Sequence, residues 1–392
     1  MTQDPLPPAF QDWLTDLRVR AVERQIRPAV FDRALSGVTP LQDVLDRQAH
    51  QPEFTLSVRD YMDICVSEER IRNGRLKLRQ NRKLLNRIET QYGVEAEVVM
   101  AFWGLETGFG ANRGTYPVIP ALTTLAFAGR RSAFFEDELM AALRIVQLGD
   151  AEPEMMIGSW AGAMGHGQFM PSSFLNFAVD FDRDGRRNIW HDDPTDALAS
   201  IAHYVAKHGW RMGQPWGVEV TLPEGFDHAQ TGLGQNRTVA EWTDLGVVPA
   251  RDNMPIAEYG AASILLPAGA RGSALMVFRN YHVILRYNCA ESYAVAIGHL
   301  SDRFGAGKAL VTGWPEGQRV LKREELREVQ MRLTNAGFDT QGIDGFMGPN
   351  TAVAIRAFQK SVGRTADGFP GLCVLERLRQ IPDGSETGET LD

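Results

Sequence analysis

The stretch "VVMAFWGLETGFG", residues 98–110, carries one carboxylate, Glu106, out of an apolar run and into a glycine-broken loop. Val98, Val99, Ala101, Phe102 and Leu105 supply a helical apolar period, and Glu106 falls one turn beyond Phe102 and Trp103 on a face that includes Val99. Burial on that face would disfavour the ionised form and raise its pKa, which suits a proton donor near neutral pH. The structural alternative is a helix-end glutamate paired with Arg113 or bound to backbone amides.

Three further constellations offer chemistry. "SWAGAMGHGQFMPSS", 159–173, mixes glycine and alanine with Ser159, Gln168 and Met170, so its backbone can approach a ligand closely with polar groups along it. A tight packing loop would explain the glycines but not Gln168. "DFDRDGRRN" places Asp180, Asp182 and Asp184 at positions 1, 3 and 5, Gly185 at 6, the Arg186 carbonyl at 7 and Asn188 at 9, a spacing of hard oxygen ligands for calcium. Position 12 is His191 rather than Glu, so a later carboxylate such as Asp196 would have to close the shell; otherwise the segment is a solvated acidic turn. "RYNCAESY" offers Tyr287, Asn288 and Tyr293, with aromatic faces for sugar rings and an amide that both donates and accepts.

The elements that must position these groups are mostly helical. The pattern predicts helix from Phe10 to about Leu35, a break at Pro40, and a helix entered near Tyr61. Two more helices run from Arg75 to Val99, separated at Tyr92-Gly93. "SAFFEDELMAALRIVQLG" reads as a helix with Ser132 as N-cap and Gly149 as C-cap. A helix follows Pro171, and "DALASIAHYVAKHGW" makes another that ends at Gly209. Residues 215–278 alternate in short apolar stretches and predict a small β region. After a Gly- and Pro-rich connector, "IDGFMG" at 343–348 recurs as "ADGFPG" at 366–371, each beside a helical pattern, which predicts a compact helical module.

The chain has 392 residues, 44% hydrophobic and 23% charged, and is globular material. A formal net charge of -8 without a basic, aromatic-interleaved run argues against nucleic acid as a partner. Cys65, Cys289 and Cys373 are too scattered for a disulfide framework or a zinc site. No apolar stretch is long enough to span a membrane, and "MTQDPLPPAFQDW" lacks the features of a secretion signal. Taken alone that terminus points to the cytoplasm; the other explanation is a mature form whose leader was removed.

"GLETGFG", "WAGAMGHGQFMPSSF", "DFDRDGRRNIW" and "RYNCAESYAVAIGHL" together resemble the lytic murein transglycosylase B family. "LREVQMRLTNAGFDTQGIDGFMGPNTAVAIRAFQ" resembles a helical peptidoglycan-binding domain. The resemblance implies a mainly α (α+β), lysozyme-like catalytic domain with a small β portion over residues 8–305, a linker over 306–321, a helical module over 322–380 and a disordered tail over 381–392. It implies non-hydrolytic cleavage between N-acetylmuramic acid and N-acetylglucosamine with Glu106 as the single acid and base. Ser159 and Asn288 would stabilise the intermediate, Gln168 would contact glycan, and Tyr61, Tyr204, Tyr287 and Tyr293 would surround the cleft. No cofactor is required, while a structural calcium ion would be held by Asp180, Asp182, Asp184, the Arg186 carbonyl and Asp196. The implied setting is a periplasmic monomer acting on peptidoglycan glycan strands, alongside cell-wall machinery. The alternatives are a hydrolytic muramidase and a non-catalytic wall-binding protein.

Overall fold

In the computed structural model the described residues are 8–49, 56–251, 255–316 and 321–381. The tail from 382 onward and residues 317–320 of the expected linker lie outside them. Helices α1 (Pro8–Glu23), α2 (Pro28–Ala34), α3 (Gln42–Ala49) and α4 (Val58–Cys65) open the chain, followed by α5 (Glu68–Gln80), α6 (Arg82–Tyr92) and α7 (Ala96–Thr107). Strand β1 (Tyr116–Pro117), α8 (Val118–Ala128), α9 (Ser132–Leu148), β2 (Ile157–Gly158), α10 (Pro171–Phe177) and α11 (Thr195–Lys207) come next. Then follow β3 (Gly217–Thr221), α12 (Val239–Asp244), β4 (Val248–Pro249), β5 (Ser263–Leu265), β6 (Ala274–Val277), α13 (Arg279–Tyr287) and α14 (Glu291–Phe304). Helices α15 (Arg323–Asn335), α16 (Pro349–Ser361) and α17 (Leu372–Arg379) complete a mainly α protein with little strand.

Two compact units divide the chain: Met1–Gln51 with Glu68–Met212, and Pro52–Ser67 with Gly213–Asp392. In the first, α7 is the central helix. Residues 98–104 are all buried, as expected of a helix that is apolar around its whole circumference. Helices α5, α6 and α11 pack around it, while α8, α9 and α10 form a neighbouring layer. Strands β1 and β2 pair antiparallel, Tyr116 opposite Gly158, which brings the segment after Glu106 against the glycine-rich block. The close approach needs Gly114: at φ +94°, a Cβ there would lie 2.0 Å from the Gly158 carbonyl oxygen.

In the second unit an antiparallel sheet of order β4-β3-β6-β5 confirms the expected β region. Trp242 of α12 is fully buried beneath it, with Val220, Ile264 and Met276. Helix α12 carries a reciprocal Thr238–Glu241 capping box. Helix α14 packs on α13 and α4. The C-terminal helices α15 to α17 close on their own core of Val329, Leu333, Ile355, Phe358, Leu375 and Leu378.

Two expectations need correction. The predicted helix from Phe10 to Leu35 is two helices, because Gln25 takes a left-handed φ of +64° and Pro28 starts the next one at its first turn. Ser132 is not the N-cap of α9: Arg131 occupies that place with φ +67°, and Ser132 is already helical. Gly149 does end α9 in the left-handed conformation.

Candidate active site

Glu106 lies half-buried in the last turn of α7, where it and Leu105 interrupt an otherwise buried run. The helix stops in three consecutive left-handed residues, Gly108, Phe109 and Gly110, with φ of +58°, +62° and +86°. Thr107 fixes that turn. Its hydroxyl donates to the His166 carbonyl at 2.9 Å and accepts the Gly110 amide at 3.1 Å. The indole N–H of Trp103, one turn before Thr107, donates to His166 Nδ1 at 2.9 Å. Indole can only donate, so Nδ1 accepts and the ring proton sits on Nε2, which donates to the His191 carbonyl at 2.7 Å. Burial, assisted by the nearby Arg113 guanidinium, holds the His166 pKa below its ordinary value and keeps the ring neutral. Arg113, the helix-end partner considered for Glu106, instead pairs with Asp192 at 2.7 Å and donates to the Trp190 carbonyl at 2.8 Å.

The glycine-rich block folds as a series of tight turns. The Ser159 hydroxyl accepts the Ala163 amide at 3.0 Å, and the Ser159 amide donates back to the Ala163 carbonyl at 2.8 Å. Gln168 adopts φ +49°, a conformation an L-residue rarely takes without a functional or structural reason. Its amide nitrogen donates to the carbonyls of Gly165 at 3.0 Å and Arg113 at 3.3 Å. Ser159 and Gln168 are both half-buried, in the same unit as Glu106. Met170 is the N-cap residue of α10, whose first turn is held by the buried Glu138 carboxylate accepting from the Ser172 amide and hydroxyl.

The acidic loop brings Asp180, Asp182 and Asp184 together, with one carboxylate oxygen from each within 4.8 Å of the others. Asp180 also accepts the amides of Asp184 and Gly185, and Gly185 makes the sharp turn at φ +93°. Three hard oxygen donors on a turn of this form fit a calcium ion. Asp196, at the start of α11, is buried under the loop: its two oxygens accept the amides of Phe181 at 2.7 Å and Asn188 at 2.8 Å. It is outside the cluster of three and shapes the loop from below. Asn188 likewise turns inward, accepting the amides of Trp190 and His191.

Tyr204 is buried in the first unit, stacked on His208 with centroids 4.2 Å apart and edge-on to Phe177 at 4.6 Å. Tyr61, Tyr287, Asn288 and Tyr293 belong to the second unit. Tyr61 on α4 and Tyr287 at the end of α13 are half-buried, Tyr293 on α14 is buried, and Asn288 is exposed with its Oδ1 accepting the Ala290 amide. The residues that sequence reasoning missed are Thr107, Trp103 as a donor, and His166, which together tie the Glu106 helix to the glycine-rich block. The signal was there in "GHGQ": one polar ring in a run of small residues.

The first unit thus joins a buried helix that ends in a half-buried glutamate to a glycine-rich turn block and, further along the chain, an acidic loop. The chain belongs to the SLT transglycosylase family, enzymes that cleave peptidoglycan: the transglycosylase SLT domain matches residues 9–302. A peptidoglycan binding domain matches residues 322–378. The membrane-bound lytic murein transglycosylase B of Escherichia coli is 34% identical over 249 residues, 62% of this chain and 66% of that protein, just under two thirds of its length. SltB3 from Pseudomonas aeruginosa, solved in complex with NAG-anhNAM-pentapeptide, superposes with a TM-score of 0.91 at 42% identity, covering 95% of this chain and all of that one. The Escherichia coli lytic transglycosylase Slt35 in complex with calcium gives 0.63 at 29% identity over 76% of this chain and 92% of that one. The expected lysozyme-like, mainly α fold class agrees with these neighbours.

Proposed function

We propose that the protein is a lytic transglycosylase that breaks the β-1,4 bond between N-acetylmuramic acid and N-acetylglucosamine and closes a 1,6-anhydro ring on the muramic acid. One observation carries this: Glu106 stands in the last turn of the buried core helix, half-exposed, where the Thr107 and Trp103 bonds to His166 tie that helix to the glycine-rich block. The similarity to SltB3, solved in complex with NAG-anhNAM-pentapeptide, supports the same outcome here.

Glu106 donates its proton to the glycosidic oxygen as the C1–O4 bond breaks. The substrate's acetamido oxygen closes on C1 and carries the positive charge as a ring intermediate, the role a second carboxylate plays in most glycosidases. The Glu106 carboxylate then takes the proton of the C6 hydroxyl while O6 attacks C1 and the acetamido oxygen leaves. No water is consumed. Ser159, whose acceptor side is engaged by the Ala163 amide, keeps its O–H to donate to the acetamido group, and the family resemblance gives Asn288 a part in stabilising the intermediate. By the same resemblance Gln168 contacts glycan, and Tyr61, Tyr204, Tyr287 and Tyr293 are substrate-binding aromatics.

Asp180, Asp182, Asp184 and the Arg186 carbonyl would hold calcium, with Asp196 bracing the loop; the ion would stiffen structure and take no part in the reaction. Catalysis occupies residues 8–305, a linker 306–321, and the wall-binding module 322–380, which holds the enzyme on its polymer and raises local concentration. A peptidoglycan substrate supports a periplasmic setting. Digestion of sacculi in oxygen-18 water tests the reaction: fragments lighter by one water and free of label are expected, and labelled reducing ends would make it a muramidase. Glu106→Gln should cut release by at least about 100-fold while sacculus binding persists.

A further inference from the structure

The C-terminal module uses one loop pattern twice. In the first copy the side-chain amide of Gln330, buried in α15, donates to Asp344 Oδ1 at 2.9 Å and accepts the Gly345 amide at 2.8 Å. The Phe346 amide donates to the same Asp344 Oδ1 at 2.8 Å. In the second copy Gln359 of α16 donates to Asp367 Oδ1 at 2.7 Å and accepts the Gly368 amide at 2.8 Å, and the Phe369 amide donates to Asp367 Oδ1 at 2.9 Å. Gly345 and Gly368 share the left-handed turn, with φ of +76° and +74°.

The copies differ in what the clamp holds. Asp367 Oδ2 accepts the amide of Ala270 at 2.9 Å, and Phe369 lies against Gly269, whose φ is +69°. An L-side chain at 269 would put its Cβ 2.7 Å from Asp367 Oδ2 and 3.1 Å from the Phe369 Cβ. The second clamp therefore grips a backbone amide that follows a residue with positive φ and no L-oriented side chain. Mirror symmetry makes that backbone conformation the natural one for a D-amino acid. The first clamp is presented to solvent: Phe346 is 58% exposed with Ile343 and Met347 beside it, and Asp344 is itself exposed, with Gln330 and the Phe346 amide both on its Oδ1. Arg323 lies over the Phe346 ring at 4.3 Å, and Arg327 donates to the Asp344 carbonyl at 3.4 Å.

We propose that the Asp344–Phe346 loop is an outward-facing copy of this clamp that binds the stem peptide of peptidoglycan at an amide following a D-alanyl residue. Asp344 Oδ2 accepts the amide N–H, the Phe346 ring covers the small D-residue, and Arg323 and Arg327 complement the peptide's carboxylates. The proposal rests on the reading of this module as wall-binding.

Titration of the full chain with a synthetic stem pentapeptide ending in D-alanyl-D-alanine, followed by calorimetry and by amide shifts at residues 343–348, tests it. Binding is expected, weakened at least about tenfold by Phe346→Ala, an exposed change, and by Asp344→Asn. The diastereomer ending in L-alanyl-L-alanine should bind at least about tenfold more weakly. Equal affinity for both peptides, or equal affinity of wild type and both variants, overturns the clamp. A wild-type chain that pellets with sacculi but binds neither peptide overturns the clamp and leaves wall binding standing; one that does not pellet removes the underlying reading as well.

Discussion

The indole of Trp103 and the imidazole of His166, 63 residues apart in sequence, share a buried hydrogen bond of 2.9 Å that joins the helix of Glu106 to the loop of Gln168. Trp103 also meets Phe109 edge-on with centroids 5.8 Å apart, so its ring fixes the left-handed turn beyond the glutamate. Trp103→Phe would keep much of the packing but strand a buried Nδ1 acceptor, at about 1–3 kcal/mol. A lower thermal midpoint together with a reduced turnover on sacculi is expected. A variant with the wild-type midpoint would show that the bond contributes no net stability.

Gly114 and Gly37 both have positive φ, +94° and +70°, yet only one faces another chain segment. A Cβ at 114 would strike the Gly158 carbonyl oxygen at 2.0 Å, whereas nothing lies within 4 Å of one at 37. Gly37→Ala should therefore cost about 1 kcal/mol of backbone strain. Gly114→Ala should cost about 3 kcal/mol or more, because the β1–β2 pairing must separate. Denaturant unfolding of the two variants side by side gives the comparison, and equal losses would refute the claim that this close approach positions the glycine-rich block.

Calcium is predicted to stabilise the first unit. The three carboxylates of Asp180, Asp182 and Asp184 repel one another in the absence of a cation, and their oxygens are already gathered within 4.8 Å. At a calcium concentration 100-fold above the dissociation constant the gain is about 2.7 kcal/mol. Thermal unfolding with calcium and with chelator should differ accordingly, and Asp182→Ala should erase the difference. A midpoint indifferent to calcium in the wild type would leave the loop as an acidic turn.

The features legible in the sequence were those set by local rules. Glycine at 149 and the apolar run before Glu106 depend on residues within a few turns, so α9 and α7 could be read directly. The break at Gln25 and the displacement of Ser132 from its cap depend on how the chain is turned by its neighbours, and propensity does not report that. The Trp103–His166 bond was out of reach for a stronger reason: no period or motif specifies which of several tryptophans meets a particular histidine across the fold. The placement of Asp196 is intermediate. Its carboxylate was named because His191 at position 12 left the shell open, but only the amides of Phe181 and Asn188 reveal that it organises the loop from beneath.

His299 gives a pH dependence whose sign follows from its burial. It sits on α14, only 6% exposed, and burial, aided by Arg303 and opposed by Glu219, lowers its pKa from 6.5 to about 4. Above pH 6.5 the ring is neutral in both folded and unfolded chains and stability does not respond. Between 6.5 and about 4 the unfolded chain takes up a proton that the folded chain refuses, so stability falls as pH falls, by about 3 kcal/mol in all. Below that range both states are protonated and the loss levels off. His166 in the first unit, also held below its ordinary value by burial, adds a change of the same sign. His299→Gln removes one titrating group, so urea unfolding at pH 7 and pH 5 should show a smaller acid loss than in wild type. Equal losses in the two proteins would mean that the folded chain admits the proton, and that α14 opens to water more readily than its packing implies.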